Sequence, residues 1–202
     1  ARILRRNPAV AKITRLLEPS PLRTEAVCPH FGACGGCAFQ NLNYSEQISL
    51  KEGYLRRVLG KEGPPGAAEV LEPFLPSPSL FGYRNKMEFA FAGAGGDLRL
   101  GLRERSLPRT KSRKRTVDLR TCPLFGPAAD RLLPAAAAFA EADGRPGFDP
   151  VSRKGFFRNL VLREAKGTGE VMVILVTRSG PAPGLREWAG RLAADIPAVR
   201  SV

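Results

Sequence analysis

The chain has 202 residues, 43% of them hydrophobic, which is enough for one or two packed domains. Its 32 Lys and Arg against 19 Asp and Glu give a net charge of +13, far from the near-neutral balance of an ordinary cytosolic enzyme, and an acidic polymer is the natural partner. No apolar run approaches the roughly 18 residues a membrane span requires, so no membrane partner is expected, and a reducing cytoplasmic setting follows in which cysteines hold metal more readily than they form disulfides.

In chain order, residues 1–17 alternate weakly, with Val10, Ile13, Leu16 and Leu17 among basic residues, and predict at best an edge strand before a turn at Glu18 to Pro21. After a cysteine-rich loop, Asn43 and Glu46 have the spacing of a capping box. Ile48, Leu55, Val58 and Leu59 then share one face of a helix ending at Gly60. Five prolines between Gly63 and Pro78 read as a connector. From Tyr83 to Ala92 the period switches to two, with Met87, Phe89 and Phe91 on one face. Gly93 to Asp97 turns the chain, and Leu98, Leu100 and Leu102 alternate with Arg99, Gly101 and Arg103, completing a hairpin with a basic, solvated face.

Ala128 to Ala142 predicts a helix that Pro134 must break or kink. Leu160 to Arg163 and Val171 to Thr177 flank the turn Lys166 to Gly169, and the unbroken apolar run of the second segment predicts a strand covered on both sides. Leu185, Trp188 and Leu192 mark a last amphipathic helix. The fold class is therefore α+β, a largely antiparallel sheet with flanking helices and a cysteine-rich loop.

Cys28, Cys34 and Cys37 lie in CPHFGACGGC, and Cys122 precedes a proline. Three closely spaced cysteines with a remote fourth are the ligand pattern of an iron-sulfur cluster, and Gly35 and Gly36 let the backbone wrap closely and aim N–H groups at sulfur. Zinc is the alternative, although its modules more often present two C-x2-C pairs. His30 is a further candidate zinc ligand, its more ordinary role being a solvated loop residue. Plain buried or disulfide-bonded cysteines are the third reading, whereas a metal would use all four and leave none as a separate nucleophile. Ligation across the long gap to Cys122 should contribute folding free energy, with local unfolding expected when metal is lost.

Between Arg103 and Arg115 the sequence RERSLPRTKSRKR carries Arg103, Arg105, Arg109, Lys111, Arg113, Lys114 and Arg115 against a single acid, Glu104. Such a loop neutralises backbone phosphates and releases counterions, giving salt-sensitive RNA or DNA affinity. A solvated loop is the plainer reading. Tyr83, Phe156 and Phe157 are weaker candidates for base stacking, core or rim positions being their usual role.

The stretch EPSPLRTEAVCPHFGACGGCAFQNLNYSEQISLK, the GYRNKMEFAF strand, the TCPL step and FFRNLVLREAKGTGEVMVILVT together resemble the iron-sulfur RNA uracil-C5 methyltransferases, the bacterial 23S ribosomal RNA enzymes most of all. The resemblance implies a [4Fe-4S] cluster on Cys28, Cys34, Cys37 and Cys122. Residues 1–21 are then the end of an OB-like (TRAM) RNA-binding domain, and residues 22–202 are the central cluster domain. A Rossmann-like domain binding S-adenosylmethionine is expected beyond Val202, with the family's catalytic cysteine and general-base glutamate. Nothing within the chain resembles those catalytic or cofactor-binding residues. The family's reaction, as the resemblance implies it, adds a cysteine thiolate to uracil C6, methylates C5 from S-adenosylmethionine and removes the C5 proton with a carboxylate. The chain is accordingly expected to be a fragment, inactive alone, that binds RNA and braces its own C-terminal catalytic domain. A zinc-stabilised RNA-binding module and an iron-sulfur electron-transfer protein are the competing readings.

Overall fold

The computed structural model describes residues 2–6, 9–105 and 115–202, with side chains described from residue 13 onward. Two compact units result, one of Ala1–Val27 with Ala38–Leu80 and the other of Cys28–Cys37 with Phe81–Val202. None of the described helices is long and apolar enough to cross a membrane.

In the first unit β1 (Arg2–Arg6) and β2 (Ala9–Lys12) pair antiparallel, where the sequence had suggested one edge strand. Helix α1 (Tyr44–Glu62) keeps Ile48, Leu55, Val58 and Leu59 half-buried on one face. The capping box does not form, because the Asn43 N–H that Glu46 would accept from is donated to the Leu22 carbonyl at 3.3 Å. Nor does the helix stop at Gly60. It runs to Glu62, and Gly63 leaves the helical region (φ −84°, ψ 170°) because Pro64 follows and crowds the α conformation of the residue before it. The connector is tied back by Glu52 and Arg56. Arg56 donates to Glu52 Oε1 at 3.1 Å and to the carbonyls of Ala68 and Leu71, while Glu52 Oε2 accepts the Phe74 N–H at 3.2 Å.

The second unit is a six-stranded sheet formed by β3 (Lys86–Ala92), β4 (Arg99–Arg103), β5 (Thr116–Asp118), β6 (Phe157–Ala165), β7 (Glu170–Thr177) and β8 (Val199–Ser201). The strand order is β5-β4-β3-β6-β7-β8, antiparallel except for the β7·β8 pair. Its register aligns apolar faces. Phe89 stands opposite Leu160 and Leu160 opposite Leu175, while Met87, Leu162 and Val173 form the next row. These side chains make one core with Leu132, Leu133, Ala136 and Ala140 of α2 (Ala128–Asp143) and with Trp188 and Leu192 of α3 (Leu185–Asp195).

The structure decides four points that the sequence left open or misjudged. Pro134 does not break α2. A proline inside a helix costs about 3 kcal/mol, but each fully buried leucine returns about 1.5–3 kcal/mol, and both Leu132 and Leu133 are buried. The apolar run of β7 is covered on one side only, leaving Met172, Ile174 and Val176 at 43%, 38% and 36% exposure. The face of β4 opposite its leucines is not simply solvated. Gly101 is buried there, where a Cβ would meet the Val117 carbonyl at 2.0 Å, because β5 and Leu119 cross it. Phe156 and Phe157 take the core role expected as their usual one, ring to ring at 5.0 Å, and are closed to base stacking.

Candidate metal centre and basic stem

All four cysteines fall in the second unit, and all four are thiols rather than half-cystines. The loop that carries three of them is wound by short-range bonds, Phe31 N–H to the Cys28 carbonyl at 3.0 Å and Cys34 N–H to the His30 carbonyl at 2.9 Å. It is zipped onto the end of β4. Gly35 N–H donates to the Arg103 carbonyl at 2.9 Å, Arg105 N–H donates to the Ala33 carbonyl at 2.7 Å, and Cys34 pairs with Glu104 as an isolated antiparallel bridge. Gly36 donates its N–H to Cys34 Sγ at 3.4 Å, as its place between two ligand positions predicted.

Cys122 arrives from β5 and begins the turn into α2, its carbonyl accepting the N–H groups of Phe125 and Gly126. The next two carbonyls, of Pro123 and Leu124, accept from Gly82 and Arg84 at 2.8 and 3.0 Å, which pins the turn against the start of the β3 segment. Cys34 and Cys122 are buried, and burial is the main cause that pushes both thiols above the usual cysteine range. The backbone N–H of Gly36 opposes this at Cys34, and those of Leu124 and Phe125 oppose it at Cys122. Cys37 and Cys28 raise both thiols further. Among the described residues, no group of three or more His, Cys, Asp or Glu side chains closes around a single ion.

The donor set suits a metal group nonetheless. Four sulfurs, two of them buried, can be held as thiolates only if a cation offsets their mutual repulsion. His30 contributes its backbone carbonyl to the loop.

Of the basic residues singled out, Arg103, Arg105 and Arg115 are described, whereas Arg109, Lys111, Arg113 and Lys114 lie outside the described residues. The stem is closed by the Glu104 N–H to the Arg115 carbonyl at 2.8 Å. Arg103 Nη1 donates to Thr116 Oγ1 at 3.3 Å, and the Arg105 guanidinium sits 5.9 Å from the Phe31 ring centroid. The cysteine loop and the basic stem are thus one hydrogen-bonded construction. Sequence reasoning found both parts but not their union, since no periodicity links residue 35 to residue 103. Tyr83 is 54% exposed.

No protein-family model matches the chain. It is 37% identical over 174 residues to a tRNA (uracil(54)-C(5))-methyltransferase of Pyrococcus horikoshii, covering 86% of this chain and 38% of the relative. It is 35% identical over 167 residues to a 23S rRNA (uracil(747)-C(5))-methyltransferase of the same organism, covering 83% and 36%. Among solved structures, the Pyrococcus abyssi tRNA (uracil-54, C5)-methyltransferase in complex with S-adenosyl-L-homocysteine superposes with a TM-score of 0.64 at 33% identity, covering 86% of this chain and 37% of that one. The chain therefore spans well under half the length of the relatives it matches, and over most of its own length it is related in sequence and fold to the RNA uracil-C5 methyltransferases.

Proposed function

We propose that this chain is the RNA-binding, [4Fe-4S]-bearing part of an S-adenosylmethionine-dependent RNA (uracil-C5)-methyltransferase. Cys28, Cys34, Cys37 and Cys122 are the cluster ligands, and Arg103, Arg105, Arg109, Lys111, Arg113, Lys114 and Arg115 are the phosphate contacts. The observation that carries the reading is the backbone bonding of the three-cysteine loop to the stem of the basic stretch, through Gly35 to Arg103 and Arg105 to Ala33. A single zinc ion needs four sulfurs about 2.3 Å from one point, whereas a cluster seats its thiolates on separate irons and holds them wider apart. The three-plus-one spacing of Cys28, Cys34, Cys37 and Cys122 favours the cluster over zinc. Residues 1–21 remain proposed as the end of an OB-like domain.

S-adenosylmethionine supplies the methyl group in this reading, bound by a Rossmann-like domain outside this chain. The chain's own contribution is to hold RNA and brace that domain. The motif resemblance pointed to 23S rRNA, but the chain is 37% identical to a tRNA-modifying relative and 35% to an rRNA-modifying one, so the substrate class is stated as RNA. The test is to titrate the chain with RNA at about 50 and 200 mM salt, the range over which phosphate-dominated affinity falls by orders of magnitude, and to assay transfer of labelled methyl groups. Salt-sensitive binding without methyl transfer is expected. Methylation by this chain alone would overturn the assignment of the chemistry to another domain, and salt-insensitive or absent RNA binding would overturn the rest.

A further inference from the structure

Arg84 is a half-buried cation that meets no carboxylate among the described residues, and every Asp and Glu of the chain lies among the residues whose side chains are described. Its guanidinium donates from Nη1 to Met87 Sδ at 3.4 Å, an uncharged thioether and a weak acceptor. Other arginines of the second unit meet acids, Arg99 with Asp97, Arg120 with Asp118 and Arg145 with Asp143. Taking a guanidinium partly out of water costs free energy unless negative charge or strong acceptors answer it.

The backbone fixes where this charge stands. Arg84 N–H donates to the Leu124 carbonyl at 3.0 Å and Gly82 N–H to the Pro123 carbonyl at 2.8 Å, so residues 82–84 run against the turn that begins at Cys122. Met87, which receives the guanidinium, belongs to the same core as Cys34 and Cys122. At Cys34, where burial is the main cause of the raised pKa, the positive charge of Arg84 acts in the opposite direction. Four thiolates outweigh the charge of a zinc ion or of an oxidised iron-sulfur cubane, so a metal centre on these cysteines is an anion. An anion there supplies what Arg84 lacks.

We propose that Arg84 is the counter-charge of the four-cysteine metal centre, a positioning residue that stabilises the metal-bound thiolates and, with iron bound, the reduced state of the cluster. Groups outside the ligand set tune metal affinity, and the charge around a cluster tunes its potential. The proposal rests on the metal-centre reading above and adds to it a residue that ligand spacing cannot reveal.

The test compares the anaerobically purified whole chain with Arg84→Gln and Arg84→Lys, both of which keep the backbone N–H that bonds Leu124. The chelator concentration that strips half of the bound metal, iron or zinc, is expected to fall about 10- to 100-fold in Arg84→Gln, the usual loss when a group supporting the ligands is removed. In Arg84→Lys it should stay near the wild-type value. With iron bound, the reduction potential should move negative in Arg84→Gln and stay in place in Arg84→Lys. A role in packing alone would affect both variants alike. Wild-type chelator resistance in Arg84→Gln, or equal losses in the two variants, would overturn the counter-charge while leaving the metal centre standing. A wild-type chain that purifies without metal would remove the centre and the proposal together.

Discussion

The Gly35 N–H meets the Arg103 carbonyl at 2.9 Å, and a Cβ built on Gly35 would stand 2.9 Å from that same oxygen. The contact joins a loop of metal-ligand candidates to the strand that opens into the most basic stretch of the chain. It leaves no room for a side chain at residue 35, because the opposing atom is backbone and cannot swing away.

Gly35→Val should therefore destabilise the second unit by about 1–3 kcal/mol, the usual cost of forcing extra carbon into a filled space. Thermal melts and bound-metal content of the purified variant should fall together. A stable, fully metallated Gly35→Val chain would show that the zipper is dispensable.

Replacing Arg113, Lys114 and Arg115 with alanine should weaken RNA binding and lower the slope of log affinity against log salt by about 2, at roughly 0.7 per phosphate contact on a single strand. The thermal midpoint should be unchanged. An unaltered slope would take these three side chains out of the interface.

Asp143 ends α2, where a negative charge meets the negative end of the helix dipole, yet Arg145 answers it with two bonds, Nε to Oδ1 at 2.5 Å and Nη2 to Oδ2 at 2.6 Å. The Arg145 side chain holds the Asp143 carboxyl below the usual carboxylate range. A lowered folded pKa means that its contribution is present above the unfolded value of about 3.9 and is lost as pH falls through the folded value. Asp143→Asn should cost about 1 kcal/mol at neutral pH, and the gap to wild type should close in acid. Denaturant melts at several pH values would show it, and a gap that persists in acid would refute the electrostatic origin.

Pro134→Ala should stabilise the protein by up to about 3 kcal/mol, since it restores an N–H for the Asp130 carbonyl and relieves the ring's clash with the preceding turn. A lower melting temperature would mean that the proline shapes α2 to fit the sheet.

The sheet's core was legible because Met87, Phe89 and Phe91 alternate without interruption and Leu160 and Leu162 answer them in register. β5 and β8 were missed because three residues are too few to show a period. The β7 run misled for a related reason: an apolar stretch looks the same whether one face or two are covered, and Met172, Ile174 and Val176 face outward. The break allowed for at Pro134 does not occur, because local propensity ignores what Leu132 and Leu133 gain by burial. The cysteine ligands stood out by spacing, but the bonding of their loop to Arg103 and Arg105 is a tertiary relationship that no local pattern encodes.

The most direct test of the account is metal and sulfide analysis of the anaerobically purified chain alongside its visible spectrum, repeated with Cys122→Ser. The account predicts about four iron and four inorganic sulfide per chain with broad visible absorbance, and a loss of both together with thermal stability in the variant. A colourless protein carrying about one zinc per chain, or a Cys122→Ser chain with its iron intact, would contradict it.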